Sequence, residues 1–195
     1  QLSGVQSVLQ RGLAAAEDIF WQLDQADEAD DGQFAPQRVT GEILIDDLTF
    51  AYPGADSAAL DAVSLAIPAG STVALVGRSG SGKSTLVQLL VRFYQPQQGA
   101  ITLDDVPLQD YALAALRQQF AIVAQQVPLF RDTVYNNVAY GTLADKGEAA
   151  VMEALDSAYA SDFIERLPNG VNTMLGDDEG GLSGGQRQRI AIAQA

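Results

Sequence analysis

Gly77-Arg78-Ser79-Gly80-Ser81-Gly82-Lys83-Ser84-Thr85 matches the phosphate-loop pattern G-x-x-x-x-G-K-[S/T] at every fixed position. The preceding residues, Ser71-Thr72-Val73-Ala74-Leu75-Val76, form a short apolar run rich in β-branched side chains and predict a buried parallel strand. Leu86, Leu89, Leu90 and Phe93 follow at helical spacing. The loop is therefore expected to join a strand to a helix. Glycines at 77, 80 and 82 let backbone N–H groups turn inward as a nest for phosphate oxygens, and the helix adds its unpaired N-terminal amides. Lys83 is placed to reach β- and γ-phosphates, and the Ser84 hydroxyl to ligate Mg²⁺. A plain Gly/Ser turn before a helix would explain neither the Lys-Ser-Thr ending nor the apolar run.

A chain of 195 residues is large enough for an ordinary α/β core. It has no cysteine, so disulfides and thiolate metal sites are excluded, and no histidine, the commonest general base. The net charge of −14 argues against a nucleic-acid partner and reads as a solvated acidic surface. No run of about eighteen apolar residues suggests a membrane span, and no signal peptide is evident.

Upstream, Leu2, Val5, Leu9, Leu13, Ala16, Phe20 and Leu23 are spaced by threes and fours, predicting an amphipathic helix over residues 1–24 that packs on a partner segment. The pattern begins without a capping residue, which suggests a piece of a longer chain. Residues 25–40 are acidic, with Gly32 and Pro36, and read as a linker. Residues 42–52 and 62–67 have strand character, split by Pro53-Gly54, and predict an antiparallel β layer. Tyr52 falls at that turn.

Downstream, residues 99–105 read as a strand ending in an acidic turn, residues 111–119 as a short helix, and Phe120–Ala124 as a second buried strand. That strand runs into Gln125 and then Pro128, which breaks regular structure. Residues 133–139 and 148–167 are helical in pattern, a helical insert within the nucleotide-binding core. Beyond an acidic loop lies Leu182-Ser183-Gly184-Gly185-Gln186. Ser183 and Gln186 have the spacing of a capping box, and the glycine-bearing helix start is a second place where an anion could sit.

With both glycine-bearing motifs in hand, residues 41–195 resemble the nucleotide-binding domain of ATP-binding cassette (ABC) transporters. The resemblance implies a phosphate-loop α/β core, an antiparallel β subdomain and a helical subdomain over about residues 126–189. It implies ATP and Mg²⁺ as cofactors. Tyr52 would stack on adenine, residues 77–85 would hold the phosphates, and Lys83 and Gln125 would serve catalysis, Ser84 and Gln125 also contacting Mg²⁺. Leu182, Ser183, Gly184, Gly185 and Gln186 would touch ATP held by the facing subunit, so a second nucleotide-binding domain, most simply of a homodimer, is an implied partner.

The wording Ile67-Pro68-Ala69-Gly70, Val73 to Gly80 and Leu129-Phe130-Arg131-Asp132-Thr133-Val134 is similar to exporters that fuse membrane helices to such a domain, the lipid A exporters above all. Residues 1–24 would then be the cytoplasmic end of the last membrane-domain helix. The cargo would be lipid, and the location the cytoplasmic face of a bacterial inner membrane. Multidrug and peptide exporters share much of this wording. A soluble ABC ATPase and a non-hydrolysing nucleotide-binding module are readings of another class, and a phosphate-loop kinase would not need residues 182–186.

Three departures stand out. Asp177-Asp178-Glu179 replaces the usual Glu-containing loop, and Gln194 replaces an arginine. The family's acidic Mg²⁺ strand, catalytic glutamate and switch histidine come after the point that Ala195 reaches. The expectation is negligible ATP turnover by residues 1–195 alone, and an exposed sheet edge at Val73 and Leu75.

Overall fold

Helix α1 spans Leu2–Leu23 in the structure, a computed structural model that describes residues 2–125, 127–141, 144–176 and 181–194, with residues 2–9 described by backbone alone. Of the apolar seam, Leu13, Phe20 and Leu23 are exposed, whereas the side chains of Leu2, Val5 and Leu9 lie outside the described residues. No helix among the described residues is long and apolar enough to cross a membrane. The chain divides into two units, residues 1–117 and 118–195.

The first unit is built on the antiparallel layer read from the sequence. Strands β1 (Ile43–Phe50), β2 (Leu60–Ile67), β3 (Gln98–Leu103) and β4 (Val106–Pro107) pair in the order β2-β1-β3-β4. Ile45 faces Leu65 on one side and Ile101 on the other. A register shift between Ile45 and Leu48, with Asp47 at φ 47°, puts both residues on the buried face despite their odd spacing. Asp104 and Asp105 (φ 50° and 63°) make the two-residue turn between β3 and β4. Two positive φ values suit the twist of a tight hairpin.

Helix α2 (Lys83–Leu90) buries Thr85, Leu86 and Leu89. Each buried leucine contributes about 2 kcal/mol of transfer free energy. The helix is shorter than the sequence pattern suggests: it stops at Leu90, and Phe93 is exposed. A short 3-10 turn (Leu108–Asp110) and α3 (Leu113–Arg117) complete the unit.

The acidic stretch between α1 and β1 holds no helix beyond residue 25 and is strapped to the unit. Glu28 pairs with both terminal nitrogens of Arg117. Asp30 Oδ1 accepts from Leu113 N–H at 2.7 Å, at the start of α3. Gln33 and Phe34 N–H both donate to Asp110 O at 2.9 Å, and the Phe34 ring meets Tyr111 edge-on at 4.9 Å. Gly32 is buried where a Cβ would stand 2.0 Å from Tyr111 O, so no other residue fits without displacing the strap. Further along, the Asp104 carboxylate accepts from Thr40 N–H (2.5 Å), Thr40 Oγ1 (2.6 Å), Gly41 N–H (3.0 Å) and Glu42 N–H (2.9 Å). The Thr40 side-chain hydrogen bond, with the three backbone amides, holds this carboxyl below its usual range against the opposing effect of desolvation. The hydrogen bond from Arg117 lowers Glu28 in the same way.

The second unit is helical. Helices α4 (Val134–Val138), α5 (Glu148–Ser157), α6 (Ser161–Ile164) and α7 (Gly184–Gln194) close around Val134, Val151, Leu155, Ile164, Leu175 and Ile190. A 3-10 turn, Gly170–Asn172, follows the Pro168-Asn169 punctuation. Asn137 is buried, and its side chain ties Phe130 N–H (2.7 Å), Phe130 O (3.1 Å) and Thr133 O (2.8 Å) together.

Two strand readings need correction. Residues 71–76 and 120–124 are irregular, and neither pairs with a strand among the described residues. Val76 is 88% exposed, and Val73, Leu75, Ile122 and Val123 are also exposed rather than buried. An apolar run favours burial, but a strand exists only through the hydrogen bonds of a neighbour. The sheet edge expected at Val73 and Leu75 is therefore not formed: the two side chains are exposed on irregular backbone. The departure at 177–179 falls outside the described residues.

Candidate functional site

Residues 77–85 lead from irregular backbone into the start of α2. Gly80 and Gly82 take left-handed backbone, φ 81° and 82°. A Cβ on Gly82 would also stand 2.6 Å from Ala59 O and from the Leu60 side chain, so the glycine lets the loop sit against the start of β2. Lys83 Nζ donates to Gly77 O at 3.0 Å, Arg78 O at 2.8 Å and Ser81 Oγ at 3.3 Å, which centres one positive charge over the loop.

Helix α2 starts with no side chain capping it, while α4 is capped by Thr133. The amides of the first turn of α2 thus stay open to an outside acceptor. An ammonium, open helix-terminal amides and the exposed Ser84 hydroxyl suit the oxygens of a polyphosphate. A Cβ on Gly77 would lie 2.6 Å from Ser81 Oγ and fill this cradle, so the donor set and the space both fit such a ligand. No cluster of three or more acidic, histidine or cysteine side chains able to hold a metal occurs among the described residues. A metal here would depend on Ser84 and the phosphates themselves.

Tyr52 lies beside the same helix. Its hydroxyl is 3.0 Å from Thr85 Oγ1 and donates to Gln88 Oε1 at 2.8 Å. Its ring meets Phe50 at 5.0 Å and Tyr94 at 5.2 Å, both edge-on. The buried Thr85 side chain therefore faces Tyr52, leaving its backbone amide for the loop. Gln88 and Tyr94 were not singled out from the sequence. A polar residue three positions after Thr85, within an otherwise apolar helix, was the available signal.

In the second unit the capping box forms as read. Ser183 N–H donates to Gln186 Oε1 at 2.7 Å, and Gln186 N–H donates to Ser183 Oγ at 3.3 Å. Leu182 is buried and anchors the turn, and Arg187 donates to Leu182 O at 3.1 Å. Ser183, Gly184 and Gly185 are exposed. Gln125 is exposed in a bend of this unit. Tyr52 and residues 77–85 are thus brought together in the first unit, and residues 182–186 start α7 in the second, with Ser183, Gly184 and Gly185 exposed.

A family model described as "ABC transporter" matches residues 60–195, which include both glycine-bearing motifs. The chain belongs to the ABC transporter family. Along all 195 residues this ABC chain is 53% identical to a protein of Aromatoleum aromaticum named ATP-dependent lipid A-core flippase, and 54% and 51% identical to those so named in Hahella chejuensis and Pseudomonas aeruginosa. It spans 32% to 33% of the length of these relatives. Among solved structures, a bacterial Atm1-family ABC exporter with ATP bound is similar over 99% of the chain and 34% of its own, with a TM-score of 0.81 and 38% identity. The mixed α/β architecture expected from the sequence, antiparallel sheet and helical unit together, is therefore that of an ABC nucleotide-binding domain.

Proposed function

We propose that this chain is the ATP-binding part of an ABC exporter that moves lipid across a bacterial inner membrane. The observation that carries the reading is identity of about half, along the whole chain, to proteins named lipid A-core flippases. Residues 1–24 then continue a membrane-domain helix, 25–40 connect it, and 41–195 bind nucleotide, with Ser84 as a residue that would hold Mg²⁺. Bound Mg·ATP supplies a phosphoryl group whose transfer to water releases the energy for transport.

The chain's own residues bind and orient. Lys83 and the open amides of α2 neutralise charge on the phosphate oxygens. Tyr52 packs against adenine while its hydroxyl stays fixed on Thr85 and Gln88. Residues 182–186 face the nucleotide of a second, identical subunit through the exposed Ser183-Gly184-Gly185 turn, so that two subunits enclose two nucleotides. Gln125, exposed in a bend of the second unit, would orient water. Residues 1–195 by themselves are expected to turn ATP over negligibly.

The test is ATPase activity of the intact protein in lipid bilayers. Stimulation by lipid A, lost in Lys83→Ala, is expected. Stimulation by drugs or peptides but not by lipid would replace the cargo, and an intact protein with no membrane helices would replace the exporter by a soluble ABC ATPase.

A further inference from the structure

Helix α2 ends through an unusual residue. Arg92 sits at φ 55°, with its N–H on Leu89 O at 3.1 Å, and the next N–H, of Phe93, reaches Gln88 O at 2.9 Å. This is the Schellman ending, whose left-handed position ordinarily belongs to glycine. A side chain is disfavoured there, so its presence calls for a compensating contact. The Arg92 side chain has three. It is only 8% exposed and donates to Leu108 O at 3.2 Å, Tyr111 O at 2.8 Å and Ala29 O at 3.1 Å.

Arg117 grips the same helix end. Its Nε donates to Val91 O at 3.1 Å and one terminal nitrogen to Arg92 O at 3.4 Å, while both terminal nitrogens hold Glu28. The Arg92 guanidinium thus holds Ala29 O, and that of Arg117 bridges Glu28 to the Val91 and Arg92 carbonyls just past α2, where positive charge is also favoured by the helix dipole. The other end of α2, about 12 Å away along eight residues, is the phosphate loop.

We propose that Arg92 is a positioning residue that links the phosphate loop to the strap following α1, a role that rests on ATP binding at that loop. An anion that draws Lys83 away from Gly77 O and Arg78 O re-seats the first turn of α2. A short hydrogen-bonded helix moves as a rod, so its far end shifts the carbonyls and guanidinium groups that hold Ala29 and Glu28. By linkage, the hold on the strap and the affinity for nucleotide change together.

The test uses the intact protein with and without a non-hydrolysable ATP analogue and Mg²⁺. Amide hydrogen exchange is followed over residues 28–34 and 111–113, and analogue affinity is measured by fluorescence. In the native sequence the analogue is expected to slow strap exchange by at least about fivefold, within the usual range of coupling. Arg92→Gly suits the left-handed turn and should keep or raise Tm, yet abolish that response while the analogue still binds. An unchanged response in Arg92→Gly, or no response in native protein that binds the analogue, overturns the link and leaves nucleotide binding standing. Failure of the native protein to bind, matching Lys83→Ala, overturns both. Should Arg92→Gly not fold, Glu28→Gln, at an exposed site, carries the same expectation: a weakened response supports the link and a full one overturns it.

Discussion

The Tyr52 hydroxyl lies 3.0 Å from Thr85 Oγ1, joining a residue two positions past the end of β1 to the first turn of α2. The aromatic and the loop are thus one assembly, held by a polar contact that neither motif announces. Tyr52→Phe keeps the ring contacts and loses the bonds to Thr85 and Gln88, at a cost of about 1 kcal/mol each. It is expected to lower Tm while changing nucleotide affinity little. Tyr52→Ala is expected to weaken nucleotide binding by about tenfold through loss of the aromatic surface. A fluorescent-nucleotide titration of both variants separates the two effects, and equal affinities would count against adenine stacking.

Lys83 spends its three donors on the loop. Lys83→Ala is expected to weaken ATP binding by about 2 kcal/mol, or about thirtyfold, as for a lost charge-assisted hydrogen bond. Calorimetric titration checks this, and unchanged affinity would remove Lys83 from the phosphate site.

Ser183 and Gln186 satisfy each other's backbone N–H groups at the start of α7. Ser183→Ala leaves an uncapped helix start and is expected to cost about 1 kcal/mol of stability. Denaturant unfolding measures it. Ser183→Asp preserves the cap and adds charge, so it should keep stability but lower ATPase activity if this turn meets a neighbour's phosphate.

Asp104 and Glu28 carry the acid response of the strap. Both have folded-state values depressed below their ordinary 3.8 and 4.5, so the unfolded chain binds more protons as pH falls. Their contribution is complete above those ordinary values and is lost as pH drops through the lower folded ones. Protection of residues 28–42 in hydrogen exchange, corrected for the pH dependence of intrinsic exchange, should therefore fall below about pH 4. Asp104→Asn should lower protection near Thr40 at neutral pH and flatten that acid limb.

The sequence made the phosphate loop, the hairpin, the acidic turn at Asp104-Asp105 and the capping box legible because each is written in adjacent residues. The strap was readable only as a connector. Its bonds, Glu28 to Arg117 and Asp30 to Leu113, span more than 80 positions and leave no periodic trace. Arg92 was equally hidden, since an arginine after a helix reads as a solvated cation. The apolar runs at 71–76 and 120–124 misled for the opposite reason: composition speaks of burial, whereas pairing needs a neighbour.

Gly32 shows where such hidden organisation is brittle. A single methyl group there would drive a wedge against the Tyr111 carbonyl and prise the connector off, with every residue of the phosphate loop untouched. Inherited variation at that position would therefore loosen the connector, and a screen confined to residues 77–85 would overlook it.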